Sequence, residues 1–201
     1  MARVEVLVTG FEPFLDVALN PSGELARLLD GQRIEAAKSV SIDVLGRVLP
    51  VAYQDAPRAF DAALDACAAP PALVLCLGVH RGQEFRLELR AGKRFGSEKP
   101  DNEGQFGTTV PLDGPEWRRS PLDVEGVCVR ALERAGAPKI VVSEDAGGFL
   151  CERVYRAALD RGDALGIPAL FLHVPPADTL AVASQLEVVT GLLRSLVEAS
   201  T

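Results

Sequence analysis

Short unbroken apolar runs alternate along the chain with stretches of helical period. Val4 to Thr9, Ala72 to His80, Ile140 to Val142 and Ala169 to Val174 are runs of the first kind. A strand covered on both sides has no solvent face to make polar, so such runs predict central parallel strands. Glu24 to Leu29, Asp55 to Ala69, Pro121 to Ala135, Cys151 to about Asp160, and Ala177 to Ala199 carry helical spacing instead. In Asp55 to Ala69, for example, Ala59, Phe60, Ala63, Leu64 and Cys67 share one face. Ser39 to Val51 is extended and β-rich. Gly82 to Arg90 alternates: Phe85, Leu87 and Leu89 point one way, and Arg86, Glu88 and Arg90 the other. The bland reading of Glu88 is a cross-strand ion pair with a neighbouring arginine, worth little. Strands interleaved with helices predict a three-layer α/β/α sandwich, its mostly parallel central sheet flanked by helices.

Punctuation between these elements locates the loops. The first strand ends in TGFEPFLDVALNPSG, where Asn20 is placed to cap a helix opened by Pro21, and where Phe11 and Phe14 stand in a loop that would waste them on solvent. They could wall a pocket. Ala91 to Pro121 is polar and rich in Gly and Pro, longer than an ordinary connector, and suits a lid or an assembly arm. Pro175 and Pro176 stop the last strand and leave His173 at its C-terminal edge, where sites gather in open α/β sheets.

Composition narrows the class. A chain of 201 residues, 48% hydrophobic, reads as one compact domain spanning 1–201 with a sizeable core. The formal charge of −7 excludes a phosphate-backbone binder, so no nucleic-acid partner is expected. The opening MARVEVLVTG enters a strand directly, and no apolar run approaches the roughly 20 residues that cross a bilayer, so no membrane partner and a cytoplasmic location are expected. Cys67, Cys76, Cys128 and Cys151 lie far apart without a C-x-x-C pair, so neither zinc site nor disulfide frame is suggested, and no metal or cofactor is expected.

Nucleophile chemistry concentrates in residues 139–175. Ala146-Gly147-Gly148 permits a sharp turn, and Cys151 follows it at a helix start, where unpaired N–H groups favour thiolate and can face an oxyanion. The other three cysteines lie in mid-element apolar patterns, as small core residues do. A cysteine hydrolase needs a base, and the chain has only His80 and His173. Both end strands, so both remain open. His173 is favoured because its strand directly follows the Cys151 helix. No G-x-S-x-G elbow, Walker loop or G-x-G-x-x-G is present.

Several separate segments, in order, resemble the pyroglutamyl peptidases, also called pyrrolidone-carboxylate peptidases. Leu7-Val8-Thr9-Gly10-Phe11-Glu12-Pro13-Phe14 with Asn20-Pro21-Ser22 is similar to the family's opening signature, and Pro100-Asp101-Asn102-Glu103-Gly104 to its central one. Val142-Ser143, Ala146-Gly147, Phe149 and Cys151 resemble its nucleophile segment, and Phe171-Leu172-His173-Val174-Pro175 its histidine segment. The family's glutamate stands twelve residues before the proline of the central signature, the spacing from Glu88 to Pro100.

The resemblance implies a Cys151, His173, Glu88 triad that removes an N-terminal pyroglutamyl residue from peptides by thioester formation and hydrolysis. It further implies lactam walls from Phe11, Phe14, Phe149 and Leu150, Asn20 near the lactam carbonyl, and the backbone carbonyl near Val79 accepting the lactam N–H. Assembly as a homodimer or homotetramer is implied as well. Against the family pattern, Arg81-Gly82-Gln83 replaces Gly-Gly-Arg, Glu98 stands where an arginine is usual, and Leu15-Asp16 replaces a Gly-Gly pair. Lys99, Arg94 or Arg81 could stand in for that arginine. The alternative reading is a degenerate member that binds a lactam or acyl ligand with little turnover.

Overall fold

The computed structural model describes residues 2–14, 17–37, 39–93, 99–107 and 112–200. Among them, seven strands form one sheet: β1 (Ala2–Phe11), β2 (Arg33–Ala36), β3 (Val40–Leu49), β4 (Leu73–Val79), β5 (Phe85–Glu88), β8 (Ile140–Ser143) and β9 (Ala169–Val174), in the order β2-β3-β1-β4-β9-β5-β8. The central strands β3, β1, β4 and β9 are mutually parallel, which follows from helical crossovers between apolar runs. β5 breaks the pattern. The short connection from β4 reverses the chain, so β5 runs antiparallel to β9, with β8 parallel to it on the far side.

Helices α1 (Pro21–Leu29), α3 (Val129–Arg134) and α5 (Val182–Ser200) cover one face, and α2 (Asp55–Asp65) and α4 (Leu150–Leu165) the other. Strand alternation divides the side chains accordingly. Leu170, Leu172 and Val174 of β9 join the first core, whereas Ala169 and Phe171 join the second. A fully buried leucine such as Leu172 contributes about 2 kcal/mol of transfer free energy before entropy is charged. At the C-terminal end of β1 the chain passes close to α1. A Cβ on Gly10 would sit 2.0 Å from the Ser22 carbonyl oxygen, and one on Gly23 would sit 2.3 Å from that of Phe11, so only glycine permits the approach.

The architecture is the expected sandwich, with local differences. β2 is an antiparallel edge strand that no apolar run announces, because RIEA carries two charges in four residues. The start of the Pro121 to Ala135 helix is a π-helical turn, Val124–Cys128, capped by the Asp123 carboxylate accepting from the Gly126 N–H at 3.0 Å. α4 runs past Asp160 to Leu165 and ends on Gly166 in the left-handed conformation. The two ends of the Ala91 to Pro121 arm meet in a small antiparallel pair, β6 (Arg90–Gly92) with β7 (Trp117–Arg119).

Candidate active site

Gly147 and Gly148, with φ of 94° and 64°, turn the chain from β8 into α4 and set Cys151 in the first turn of that helix. Its sulfur settles against the end of β4. A Cβ on Gly78 would lie 3.0 Å from Cys151 Sγ and 2.9 Å from the Phe171 ring, so the absent side chain makes the sulfur's seat. His173 shares the sheet face of Phe171, the face covered by α4. It lines one cavity, of about 280 Å³, together with Cys151.

Glu88 lies behind His173, and strand direction explains its depth. Because β5 is antiparallel to β9, Arg86 pairs with His173 while Glu88 pairs with Phe171, two residues further into the sheet. Glu88 is 0% exposed and His173 6%. His173 Nδ1 donates to Glu88 Oε1 at 2.8 Å, since a carboxylate only accepts. The Tyr155 hydroxyl donates to the Glu88 carbonyl oxygen at 2.9 Å and ties β5 to α4. The bland ion pair with neighbouring arginines is not what forms: Arg86 pairs with Glu84, and Arg90 with Glu144.

The same bonds separate the two histidines. The Gly82 N–H donates to His80 Nδ1 at 3.1 Å, so His80 Nε2 carries the hydrogen, donated to the Glu84 carbonyl at 2.6 Å. Both His80 nitrogens are committed, and burial, the leading cause, lowers its pKa and keeps the ring neutral. The ring stands edge-on to His173 at 5.8 Å between centroids. His173, bonded through Nδ1, keeps Nε2 outside that bond.

The bias of the helix start toward thiolate is opposed by the sulfur's surroundings. Burial first, and then the Glu88 carboxylate, push the Cys151 thiol up to about 12, with its own backbone N–H pulling the other way. A helix terminus supplies roughly half a charge, which is too little against removal from water beside a buried anion. Both causes bias the half-buried sulfur toward the protonated thiol, against the pull of the helix start.

Beside the sulfur is a small slot of about 20 Å³. Phe11, Phe14, Asn20, Val79, Phe149 and Leu150, all six of the proposed substrate-binding residues, line it together with Val51 and Cys151. Phe14 and Tyr53 both pack on Phe149, at 5.9 and 5.5 Å between ring centroids. Asn20 is also a helix cap, its Oδ1 accepting from the Ser22 N–H at 3.2 Å while Nδ2 donates to the Glu12 carbonyl at 2.9 Å. The central motif braces this wall. Asp101 accepts from the Tyr53, Glu103 and Gln105 N–H groups at 2.8 to 2.9 Å, and Asn102 donates to the Pro13 carbonyl at 2.9 Å.

Sequence reasoning missed the bracing role of Tyr53 and Asp101, and it missed Glu152. The buried Glu152 carboxylate accepts the Gly92 N–H and holds β6 against the start of α4. Its acidity in a first helical turn was the one available signal. Arg81 and Lys99 line the larger cavity, whereas Arg94, Glu98, Leu15 and Asp16 lie outside the described residues. A bigger cavity of about 490 Å³ lies between β7 and the end of α4, lined by Trp117, Arg118 and Asp163 among others, and holds none of this chemistry.

A thiol at a helix start and an imidazole held by a buried carboxylate, on the open end of an α/β sheet, are the parts of a cysteine hydrolase. The family model described as pyroglutamyl peptidase matches residues 4–192. The chain belongs to that family. Among relatives, the pyrrolidone-carboxylate peptidase of Klebsiella pneumoniae is 32% identical over 199 residues, covering 96% of this chain and 89% of that one. That of Cupriavidus taiwanensis is 35% identical over 176 residues, covering 85% and 77%. The solved pyrrolidone carboxyl peptidase of Pyrococcus furiosus superposes with a TM-score of 0.87 at 26% identity, covering 98% of this chain and all of that one. That of Thermococcus litoralis gives 0.87 at 24% identity, covering 98% and 94%, a likeness of fold.

Proposed function

We infer that the chain is a cysteine peptidase that removes an N-terminal pyroglutamyl residue from peptides, with Cys151 as nucleophile, His173 as base and then acid, and Glu88 as the orienting carboxylate. The observation that carries the assignment of roles is the 2.8 Å bond from His173 Nδ1 to a fully buried Glu88, in the wall of a cavity shared with Cys151. Glu88 fixes the tautomer that leaves Nε2 free, and it stabilises the imidazolium that forms. The neutral Cys151 thiol gives its proton to Nε2 as sulfur attacks the pyroglutamyl carbonyl carbon. The Cys151 backbone N–H, in the first turn of α4 and free of an intrahelical acceptor, faces the resulting oxyanion. Collapse of the tetrahedral species expels the amine, which takes the proton back from His173 and leaves a thioester. Water, deprotonated by the same nitrogen, then releases pyroglutamate and restores the thiol.

The residues around the slot suit the acyl group, although at about 20 Å³ the slot must widen to admit a ring. A lactam ring is flat and uncharged, and it suits walls of Phe11, Phe14 and Phe149 with few polar contacts near Asn20 and Val79. A free N-terminal glutamine would bury an ammonium there without a partner, which costs several kcal/mol, on the order of 3 or more. Family membership favours this activity over a lactam-binding member with little turnover. The cysteines are all free thiols, which suits a reducing compartment such as the cytoplasm, and the half-exposed Trp117 and Phe106 suit a homodimer or homotetramer. Among the described residues no helix is long and apolar enough to cross a membrane.

The test is release of a fluorophore from a pyroglutamyl amide. Cys151→Ser and His173→Ala should each lower kcat by about a thousandfold or more while the fold persists by circular dichroism. Turnover that survives either change rules out these roles.

A further inference from the structure

We propose that Arg86 makes the leaving-group side of the cavity selective for substrates that carry a carboxylate close to the scissile nitrogen. This rests on the peptidase reading above and names a substrate class for it.

Position comes first. Arg86 pairs with His173 across β5 and β9, and residues paired across antiparallel strands are about 5 Å apart between Cα atoms. It points to the same sheet face as Glu88 but nearer the mouth, and it lines the cavity with Cys151 and His173. The nitrogen that leaves must be protonated by His173, so the first atoms beyond it pass beside Arg86.

Charge is the second observation. Among the described residues, the small slot has no charged side chain in its wall, whereas the larger cavity has Arg81, Arg86 and Lys99 against Asp145. The acyl side is apolar and the departing side is cationic.

The third observation is an unmet donor. Arg86 Nη2 donates to Glu84 Oε1 at 2.9 Å, but Arg86 Nε is buried and has no acceptor among the described residues. Glu84 is shared among several donors, since the Gln83 N–H reaches Oε2 at 3.1 Å and Lys139 Nζ stands 3.7 Å from the same oxygen. With that donor unmet and the side chain 34% exposed in the cavity wall, an entering anion gains a charge-assisted contact with the guanidinium. In a pyroglutamyl dipeptide the α-carboxylate lies two bonds beyond the scissile nitrogen. An acidic side chain on the first departing residue offers the same group slightly further away. An amide cap or a long neutral peptide offers none.

The test compares kcat/KM for pyroglutamyl-alanine against pyroglutamyl-alanine amide, and for pyroglutamyl-glutamate amide against pyroglutamyl-glutamine amide. The first pair reads an α-carboxylate and the second a side-chain carboxylate. A charge-assisted contact at a partly open site should favour the acid by about tenfold in at least one pair, mostly through KM. Arg86→Gln should reduce that ratio to within about twofold, and Arg86→Lys should keep part of it, because a point charge remains without the planar fork. Equal rates for acid and amide in both pairs overturn the proposal, and so does a preference that persists in Arg86→Gln. The ratios for the unaltered protein decide the matter even where the variant does not fold. Loss of all thiol-dependent pyroglutamyl cleavage overturns the peptidase reading and this inference with it, whereas parity with cleavage retained overturns the inference alone.

Discussion

The two faces of the sheet are built from the same strands and do different work. Toward α1, α3 and α5 the alternating positions are Val6, Val8, Leu75, Leu77, Leu87 and Leu172, a continuous apolar layer. Toward α2 and α4 the intervening positions include Thr9, Cys76, Gly78, Glu88 and His173, so polar and small residues interrupt the layer where the strands end. The difference teaches that placement of the chemistry rests on the register of the apolar face. A slip of one residue in β5 would put Leu87 against His173 and Glu88 among leucines. The apolar face thereby secures a polar arrangement that contributes little to stability by itself.

The largest effect that tests this division is expected from Glu88→Gln. The change keeps the shape, removes the charge and lets the imidazole adopt an unproductive tautomer, so kcat should fall by about a thousand- to ten-thousandfold. Stability should hold or rise, because a buried charge is gone. Alkylation of Cys151 by iodoacetamide should not fall in step with kcat, since Glu88 is the second cause holding the thiol up. A variant that unfolds as severely as it loses turnover would mean that the pair holds the fold together, contrary to the comparison.

A substitution on the opposite face should behave in the reverse manner. Leu192 in α5 is fully buried in the apolar layer. Leu192→Ala should lower stability by about 3 kcal/mol in a denaturant titration. The folded fraction should keep kcat within about twofold. A specific loss of kcat in folded protein would show that the two faces are coupled.

Much of this division was legible in the chain. The apolar runs at Val4 to Thr9, Ala72 to His80 and Ala169 to Val174 marked central strands, and the Gly147-Gly148 turn before Cys151 marked a helix start at a strand end. Glu88 was legible only through its spacing to Pro100 in a family pattern, because a glutamate alternating with arginines reads equally well as a solvent face. Its burial comes from β9 lying alongside β5, and its hydrogen bond to His173 joins side chains 85 positions apart. Arg86 was hidden for the same reason. The forces opposing a thiolate at Cys151 are not legible in the chain, because a helix terminus is visible in sequence whereas the packing of Cys151 against Gly78 and Phe171 is not. β2 is hidden because it carries no periodic apolar signal, and the π-helical turn because its apolar spacing reads as an ordinary helix.

The smallest effect is expected where the faces differ by a single methyl group. Gly78 continues β4 on the site face, and its missing side chain is the room that Cys151 Sγ and the Phe171 ring occupy. In Gly78→Ala the new carbon would meet that sulfur at 3.0 Å and the ring at 2.9 Å, tighter than relaxed contacts allow. The sheet cannot yield, because β4 is held by β1 on one side and β9 on the other. The sulfur has to move instead, by a few tenths of an ångström. Misplacement of a reacting atom by 1 Å is worth about a hundredfold, so this smaller shift should lower kcat by about tenfold. KM for the lactam should change less, because the slot walls at Phe14 and Phe149 are untouched. Steady-state kinetics with a thermal melt separate the outcomes. A tenfold fall in kcat at nearly constant melting temperature keeps the sulfur's seat as a positioning device, whereas unchanged kcat would mean that Cys151 finds its attacking position without it.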